Sequence, residues 1–246
     1  MSEMLTLEKF EEAAEIVKKV TSETKLIYSE FFSNQTGNKV YLKPENMQLT
    51  GAYKLRGAYY KISTLTDEER SRGLITASAG NHAQGVAYAA KIYGVKAIIV
   101  MPTSTPIIKI NRTKSYGAEV ILYGNVYDEA CEYAMKLAES EGYTFIHPFD
   151  DESVIAGQGT IGLEIVEQLP GVEYRTLVPN LRGVRRAIDC GCKKVKLNIS
   201  ASKGHNLANI NKLPLETMQG FAACADLARS GGAEVSGSIA CPFGSP

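Results

Sequence analysis

The sequence predicts an α/β fold built on a parallel sheet with helices on both faces. Short apolar runs alternate with longer stretches of helical periodicity along most of the chain, the rhythm of βαβ units. The composition, 44% hydrophobic and 22% charged, is that of an ordinary globular protein. No tandem repeat, low-complexity tract or obvious flexible linker interrupts the pattern.

Taken in order, the stretch from Leu7 to Val20 sets Phe10, Ala13, Ile16 and Val17 on one helical face, with charges opposite. Val40-Tyr41-Leu42 reads as a short strand, followed by a polar loop and a helix beginning near Lys54. Leu74–Ala77, Ala97–Met101, Glu119–Leu122 and Thr144–Ile146 are strand-like, with helical stretches at Asn81–Tyr93, Pro106–Tyr116 and Val126–Glu141 between them. A helix over Thr160–Leu169 stops at Pro170-Gly171. Beyond it, Arg175–Val178, Val195–Ile199 and Glu234–Ile239 suit strands, and Leu181–Cys190 and Leu215–Ser230 suit helices. Rhythm alone makes this one continuous α/β domain.

Charge excludes several function classes. Twenty-seven basic and 27 acidic residues cancel, so no net field draws nucleic acid or an anionic membrane. No apolar run is long enough to span a bilayer. Met1-Ser2-Glu3-Met4-Leu5 lacks the apolar stretch of a signal peptide. The five cysteines, Cys131, Cys190, Cys192, Cys224 and Cys241, are an odd set expected as reduced thiols of a cytoplasmic protein.

Two segments carry chemistry. In the first, Glu45 to Gly57, Lys54 stands at a helix start, where the positive end of the macrodipole disfavours an ammonium and favours a free, nucleophilic amine. Gly51 and Ala52 are small enough to let a flat ring approach, and Tyr53 offers it an aromatic neighbour. The bland alternative is a solvated surface lysine. In the second, Ser78-Ala79-Gly80-Asn81-His82-Ala83-Gln84-Gly85, consecutive backbone amides at a strand-to-helix turn suit a phosphate or carboxylate. Its bland alternative is a junction whose glycine merely permits the turn. His82 and His147 are read as structural. Three scattered histidines without paired ligand spacing point to no metal site, and Cys190-Gly191-Cys192 is read as incidental.

Together, Thr50-Gly51-Ala52-Tyr53-Lys54-Leu55-Arg56-Gly57 and Ser78 to Gly85 resemble the threonine dehydratase (threonine/serine ammonia-lyase) family of fold-type-II pyridoxal-phosphate enzymes. The likeness continues through Met101-Pro102, Ser115 to Val120, His147 to Asp151 and Ile155 to Glu164, and covers residues 1–170. It implies that Lys54 carries pyridoxal phosphate as a Schiff base and later acts as a base. It further implies that Tyr53 lies against the cofactor ring, and that Asn81 hydrogen-bonds the ring oxygen. The Ser78, Ala79, Gly80, Asn81 and His82 turn then holds the carboxylate of a small amino-acid substrate. Threonine would give 2-oxobutanoate and ammonia; serine would give pyruvate. A homo-oligomer is compatible with this reading.

The resemblance stops after Thr176-Leu177-Val178-Pro179. Several glycines that wrap the cofactor phosphate are expected next, whereas Asn180-Leu181-Arg182-Gly183-Val184 offers one. From about Tyr174 the chain resembles hydroxymethylglutaryl-CoA lyase, a metal-dependent TIM barrel. The likeness lies in Thr176 to Gly183, Ser200-Ala201-Ser202, His205-Asn206, Asn209-Ile210-Asn211, Gly237-Ser238-Ile239 and Phe243-Gly244. Lys203 and Ser245 depart from that pattern, and the segments that carry its metal ligands and catalytic cysteine are absent. The expectation is a chimera: residues 1–170 as the N-terminal part of an ammonia-lyase, and 171–246 as a TIM-barrel-like βαβαβ fragment. Three functions stay open: an impaired threonine or serine ammonia-lyase, a folded scaffold without catalysis, and a C–C lyase acting on an acyl-CoA.

Overall fold

The structure, a computed structural model, describes residues 5–243. Met1 to Met4, Gly244 and Ser245, which entered the sequence reading, lie outside the described residues. The chain separates into two compact units between Pro170 and Gly171. The uninterrupted rhythm is therefore not one domain.

The first unit opens with α1 (Leu7–Val17), β1 (Ile27–Tyr28), α2 (Glu30–Thr36), β2 (Tyr41–Leu42) and a 3-10 turn at Glu45–Met47. It continues as α3 (Lys54–Thr64), α4 (Asp67–Ser71), β3 (Leu74–Ala77), α5 (Asn81–Tyr93), β4 (Ala97–Met101) and α6 (Ile107–Ser115). It ends with β5 (Glu119–Leu122), α7 (Tyr127–Glu141), β6 (Thr144–Phe145) and α8 (Glu152–Gln168). Strands β5-β4-β3-β6 form a parallel sheet in that order, and β1 and β2 pair antiparallel apart from it. Alternation along β3 and β4 splits their side chains between two cores. Leu74, Ile99 and Met101 pack with Leu55, Ala58 and Ile62 of α3 and Ala83, Val86 and Ala90 of α5. Ile75, Ala77, Ile98 and Val100 pack with Ala130 and Ala134 of α7 on the other face. Both strands are buried throughout, which is why they read as continuous apolar runs.

Three helices of this unit differ from the sequence expectation; one is α2, which the rhythm does not predict. Helix α8 starts at Glu152 rather than Thr160, because the Asp151 side chain accepts from the Val154 amide and caps the helix a full two turns earlier. Gly157, Gly159 and Gly162 hide the apolar period in that part. Helix α4 was not expected: it buries none of its residues and rests on a capping box between Thr66 and Glu69.

Helix α3 is gripped by its neighbours. A Cβ at Gly57 would lie 2.7 Å from the Val154 carbonyl oxygen, and one at Gly157 would lie 2.7 Å from both the Arg56 carbonyl oxygen and the Gly57 Cα. Backbones α3 and α8 therefore touch. Beside this crossing, the buried Arg56 guanidinium uses all five of its N–H groups: on Glu45 (2.9 and 2.8 Å), on Thr160 (3.1 Å) and on Glu164 (2.5 and 3.0 Å). Lys43 adds a second cation to Glu164, and Thr24 donates to Glu45.

The second unit comprises β7 (Arg175–Leu177), α9 (Leu181–Asp189), β8 (Lys194–Ser200), α10 (Lys203–Ile210), α11 (Pro214–Ser230) and β9 (Glu234–Ala240). Its three strands are parallel and neighbour one another in chain order. Val195 and Leu197 of β8 pack with Val184 and Ala187 of α9 and Cys224 and Ala228 of α11. Helix α10, also not expected from the rhythm, carries Asn206, only 1% exposed. Asn206 accepts from the Ser200 amide at 3.0 Å and donates to the Lys212 carbonyl (2.8 Å) and the Thr217 hydroxyl (2.9 Å).

Candidate functional site

Lys54 is the first residue of α3. Before it, the chain turns through Gly51, whose φ of 76° an L side chain rarely adopts, and whose missing side chain leaves room for the Arg112 guanidinium. Gly51 thus serves the turn; Ala52 is buried, and Tyr53 is exposed. Lys54 itself is partly buried, and its Nζ donates to the Pro148 carbonyl at 2.9 Å. Burial pushes the amine below the ordinary lysine pKa, which enlarges its neutral, nucleophilic fraction near neutral pH. The Tyr53 ring lies beside it, its centroid 5.4 Å from Nζ.

The turn from Ser78 to His82 follows β3 directly. The Ser78 amide donates to the Val100 carbonyl (3.1 Å), and the Ser78 hydroxyl accepts from the Gly80 amide (3.2 Å). Helix α5 then begins at Asn81 with no side-chain cap on its N-terminus, and Asn81 is exposed. Ser78, Ala79 and Gly80 are half-buried. The turn and the lysine belong to touching helices: a Cβ at Gly85 would lie 3.1 Å from the Lys54 carbonyl carbon and oxygen and from the Leu55 amide nitrogen. Glycine at 85 sets that closeness.

His82 is buried and bonds through Nε2 to the Ile146 carbonyl at 3.3 Å. Burial foremost, with the nearby charges of Lys54 and His147, lowers its pKa to about 4, against the raising effect of the Ile146 bond. It is a neutral donor near pH 7. His147 accepts the amides of Phe149 (3.3 Å) and Asp150 (2.7 Å) at Nδ1, so it secures the turn after β6. Both histidines thus bond to the backbone around the end of β6.

The reading from sequence missed the Pro148 carbonyl, the Thr76 hydroxyl that joins His82 on Ile146 (2.7 Å), and the Arg56 ion cluster. Glu45, Arg56 and Glu164 stood in the quoted motifs, but nothing local marks residues 108 positions apart as partners. Among the described residues, no helix is long and apolar enough to cross a membrane.

The family model for pyridoxal-phosphate-dependent enzymes matches residues 17–179. The L-threonine ammonia-lyase of Thermotoga maritima is 56% identical over 170 residues, 69% of this chain and 42% of that protein. The catabolic L-threonine dehydratase TdcB of Staphylococcus aureus is 52% identical over 167 residues, 68% of this chain and 48% of that protein. The chain thus spans less than half the length of these curated relatives. Among solved structures, the processed form of threonine deaminase isoform 2 from Solanum lycopersicum is similar at a TM-score of 0.69 and 33% identity, over 95% of this chain and 62% of that one. Maize serine racemase is similar at a TM-score of 0.73 and 25% identity, over 95% of this chain and 76% of that one. A lysine-bearing helix beside a strand-to-helix turn, on a parallel sheet and under a family match across two-thirds of the sequence, makes this chain a member of the pyridoxal-phosphate-dependent enzyme family.

Proposed function

We propose that this chain carries the lysine-bearing part of a threonine or serine ammonia-lyase, which releases a 2-oxoacid and ammonia, and that turnover by the chain as it stands is impaired. The observation that carries the reading is the Lys54 amine: partly buried, shifted toward its neutral form, and borne on a helix whose backbone touches the helix that the turn of amides opens.

The residues fit the cofactor at one end. Lys54 would supply the amine for the cofactor aldehyde, Tyr53 an aromatic face and Asn81 a side-chain amide for the ring oxygen. Bound pyridoxal phosphate supplies an electron sink for charge at the substrate α-carbon. Backbone amides from Ser78 to His82, at an uncapped helix start, suit the substrate carboxylate. In its neutral form, Lys54 Nζ would also serve as the base for the α-proton.

The phosphate end does not fit. After β7 the chain enters α9 at once, and the Asn180 side chain already accepts the Gly183 amide at 2.9 Å. One glycine replaces the expected glycine run, and its amide is spent on the cap. We therefore infer weak cofactor retention.

Residues 171–246 support a second reading, a TIM-barrel-like fragment that folds as a catalytically silent scaffold. The observation in its favour is strand order: β7, β8 and β9 are parallel neighbours in chain order, as in a barrel wall. Resemblance to hydroxymethylglutaryl-CoA lyase motivates it.

Incubation with pyridoxal phosphate, borohydride reduction and peptide mass spectrometry test the first reading. The expected result is a cofactor adduct on Lys54, lost in Lys54→Ala, with weak affinity and slow 2-oxobutanoate release from threonine. An adduct spread over surface lysines, unchanged in Lys54→Ala, would overturn it. Folding without turnover favours the scaffold.

A further inference from the structure

Two buried side chains from different elements end on one carbonyl. Thr76 of β3 donates its hydroxyl to Ile146 O at 2.7 Å, and His82 of α5 reaches the same oxygen at 3.3 Å. Thr76 is fully buried and His82 is 4% exposed. A carbonyl can only accept, so His82 Nε2 carries the ring proton. His82 Nδ1 is buried and, among the described residues, has no hydrogen-bond partner. The ring is thus held for its Nε2 contact alone.

This clamp sits where β6 runs out. Strand pairing of β6 with β3 covers Thr144 and Phe145, and the Ile146 amide adds one bond to the Ile75 carbonyl at 2.8 Å. Past His147, the amides of Phe149 and Asp150 turn back onto its Nδ1. The backbone is therefore fixed on both sides of Pro148, whose carbonyl meets Lys54 Nζ.

We propose that Thr76 and His82 are positioning residues that hold the Ile146–Pro148 segment as a shelf for the Lys54 amine. A free lysine side chain samples many rotamers, and a fixed acceptor selects the few that keep Nζ at the head of α3. The shelf thus gives the amine one resting place whenever it is not bonded to a ligand. Its functional meaning rests on the assignment of Lys54 above; its test does not. His82 and His147 are the ionisable groups whose charges couple to this corner, and His82 is neutral near pH 7.

Trace acetylation of the cofactor-free protein across pH, read by mass spectrometry on the Lys54 peptide against exposed Lys109, measures the amine directly. In the unaltered protein the Lys54 profile lies below the ordinary lysine value. In Thr76→Val and His82→Leu the amine gains access to water, and its profile moves up toward the ordinary lysine value. Labelling of Lys54 at about pH 7.5 then falls about tenfold, the equivalent of roughly one pKa unit. Thr76→Ser and His82→Gln, which keep a donor near the original position, retain the unaltered profile. Folded Thr76→Val and His82→Leu proteins with an unchanged Lys54 profile would overturn the shelf; if His82→Leu does not fold, Thr76→Val decides alone. Failure of the unaltered protein to capture pyridoxal phosphate, by contrast, counts against the proposed function while the acetylation profile still reports on the shelf.

Discussion

Gly57 and Gly157 meet at the crossing of α3 and α8, where a Cβ on Gly157 would stand 2.7 Å from the Gly57 Cα. Backbone blocks relief on both sides, so the helices must part to admit a methyl. Gly157→Ala is expected to destabilise the first unit by about 1–3 kcal/mol, the usual range for overpacking. Gly162, on the same helix, has nothing within 4 Å of its added Cβ. Gly162→Ala should therefore stabilise by about 0.5–1 kcal/mol through helix propensity. Urea melts of the two variants check the contrast: opposite shifts of the midpoint support the crossing, and equal shifts refute it.

Arg56 concerns charge at the same crossing. Burial opposes ionisation of Glu45 and Glu164, but hydrogen bonds from Arg56, with Thr24 on the first and Lys43 on the second, hold both carboxyls below the ordinary 4.5. Arg56→Leu strands two carboxylates and should cost about 3–5 kcal/mol near neutral pH. The pH dependence has a definite sign. With depressed folded pKa values, the cluster stabilises fully above the ordinary carboxylate pKa and loses that contribution as pH falls through the depressed values. The variant, with its carboxyls buried and short of cation, gains relative stability as they protonate. Thermal melts between neutral pH and acid should show the gap between the two proteins narrowing on acidification; a gap independent of pH would contradict the ion cluster.

Both relationships show what the sequence could and could not reveal. Leu74–Ala77 and Ala97–Met101 were legible to the residue because burial on both faces writes an unbroken apolar run. The start of α3 at Lys54 was legible because a polar loop with Gly51 precedes it. Helix α4 left no apolar period, since nothing in it is buried, and its one local signal is the Thr66–Glu69 capping box. The Arg56–Glu164 and Lys54–Pro148 contacts join residues 108 and 94 positions apart, and a carbonyl acceptor has no residue type to read. Only the folded sheet brings them together.

Asn206 plays in the second unit the part that Arg56 plays in the first, without charge. Its side chain satisfies the Ser200 amide, the Lys212 carbonyl and the Thr217 hydroxyl, linking β8, the α10–α11 loop and α11. Asn206→Ala leaves the first of these groups buried without a partner and exposes a cavity beside the others. A loss of about 1–3 kcal/mol is expected, confined to residues 171–243. Hydrogen–deuterium exchange should show faster exchange in β8, α10 and α11 with α3 and α5 unchanged. Protection lost equally from α3 would mean that the two units unfold as one.

Cys224 offers a chemical check on the same independence. Its thiol is 3% exposed, in the core formed with Val184, Val195 and Ala228. Burial also raises its pKa, which lowers the thiolate fraction at any given pH. Cys190 is exposed, and the partly buried Cys131 belongs to the first unit, against the sheet face covered by α7. With a thiol-exchange reagent at pH 8, Cys190 should therefore react first and Cys224 only through opening of its core. Asn206→Ala should accelerate Cys224 several-fold and leave Cys131 at its original rate, since the lost hydrogen bonds lie wholly within the second unit. Mass spectrometry of the labelled peptides reads both rates in one sample, and a joint rise of Cys224 and Cys131 would show that opening is global.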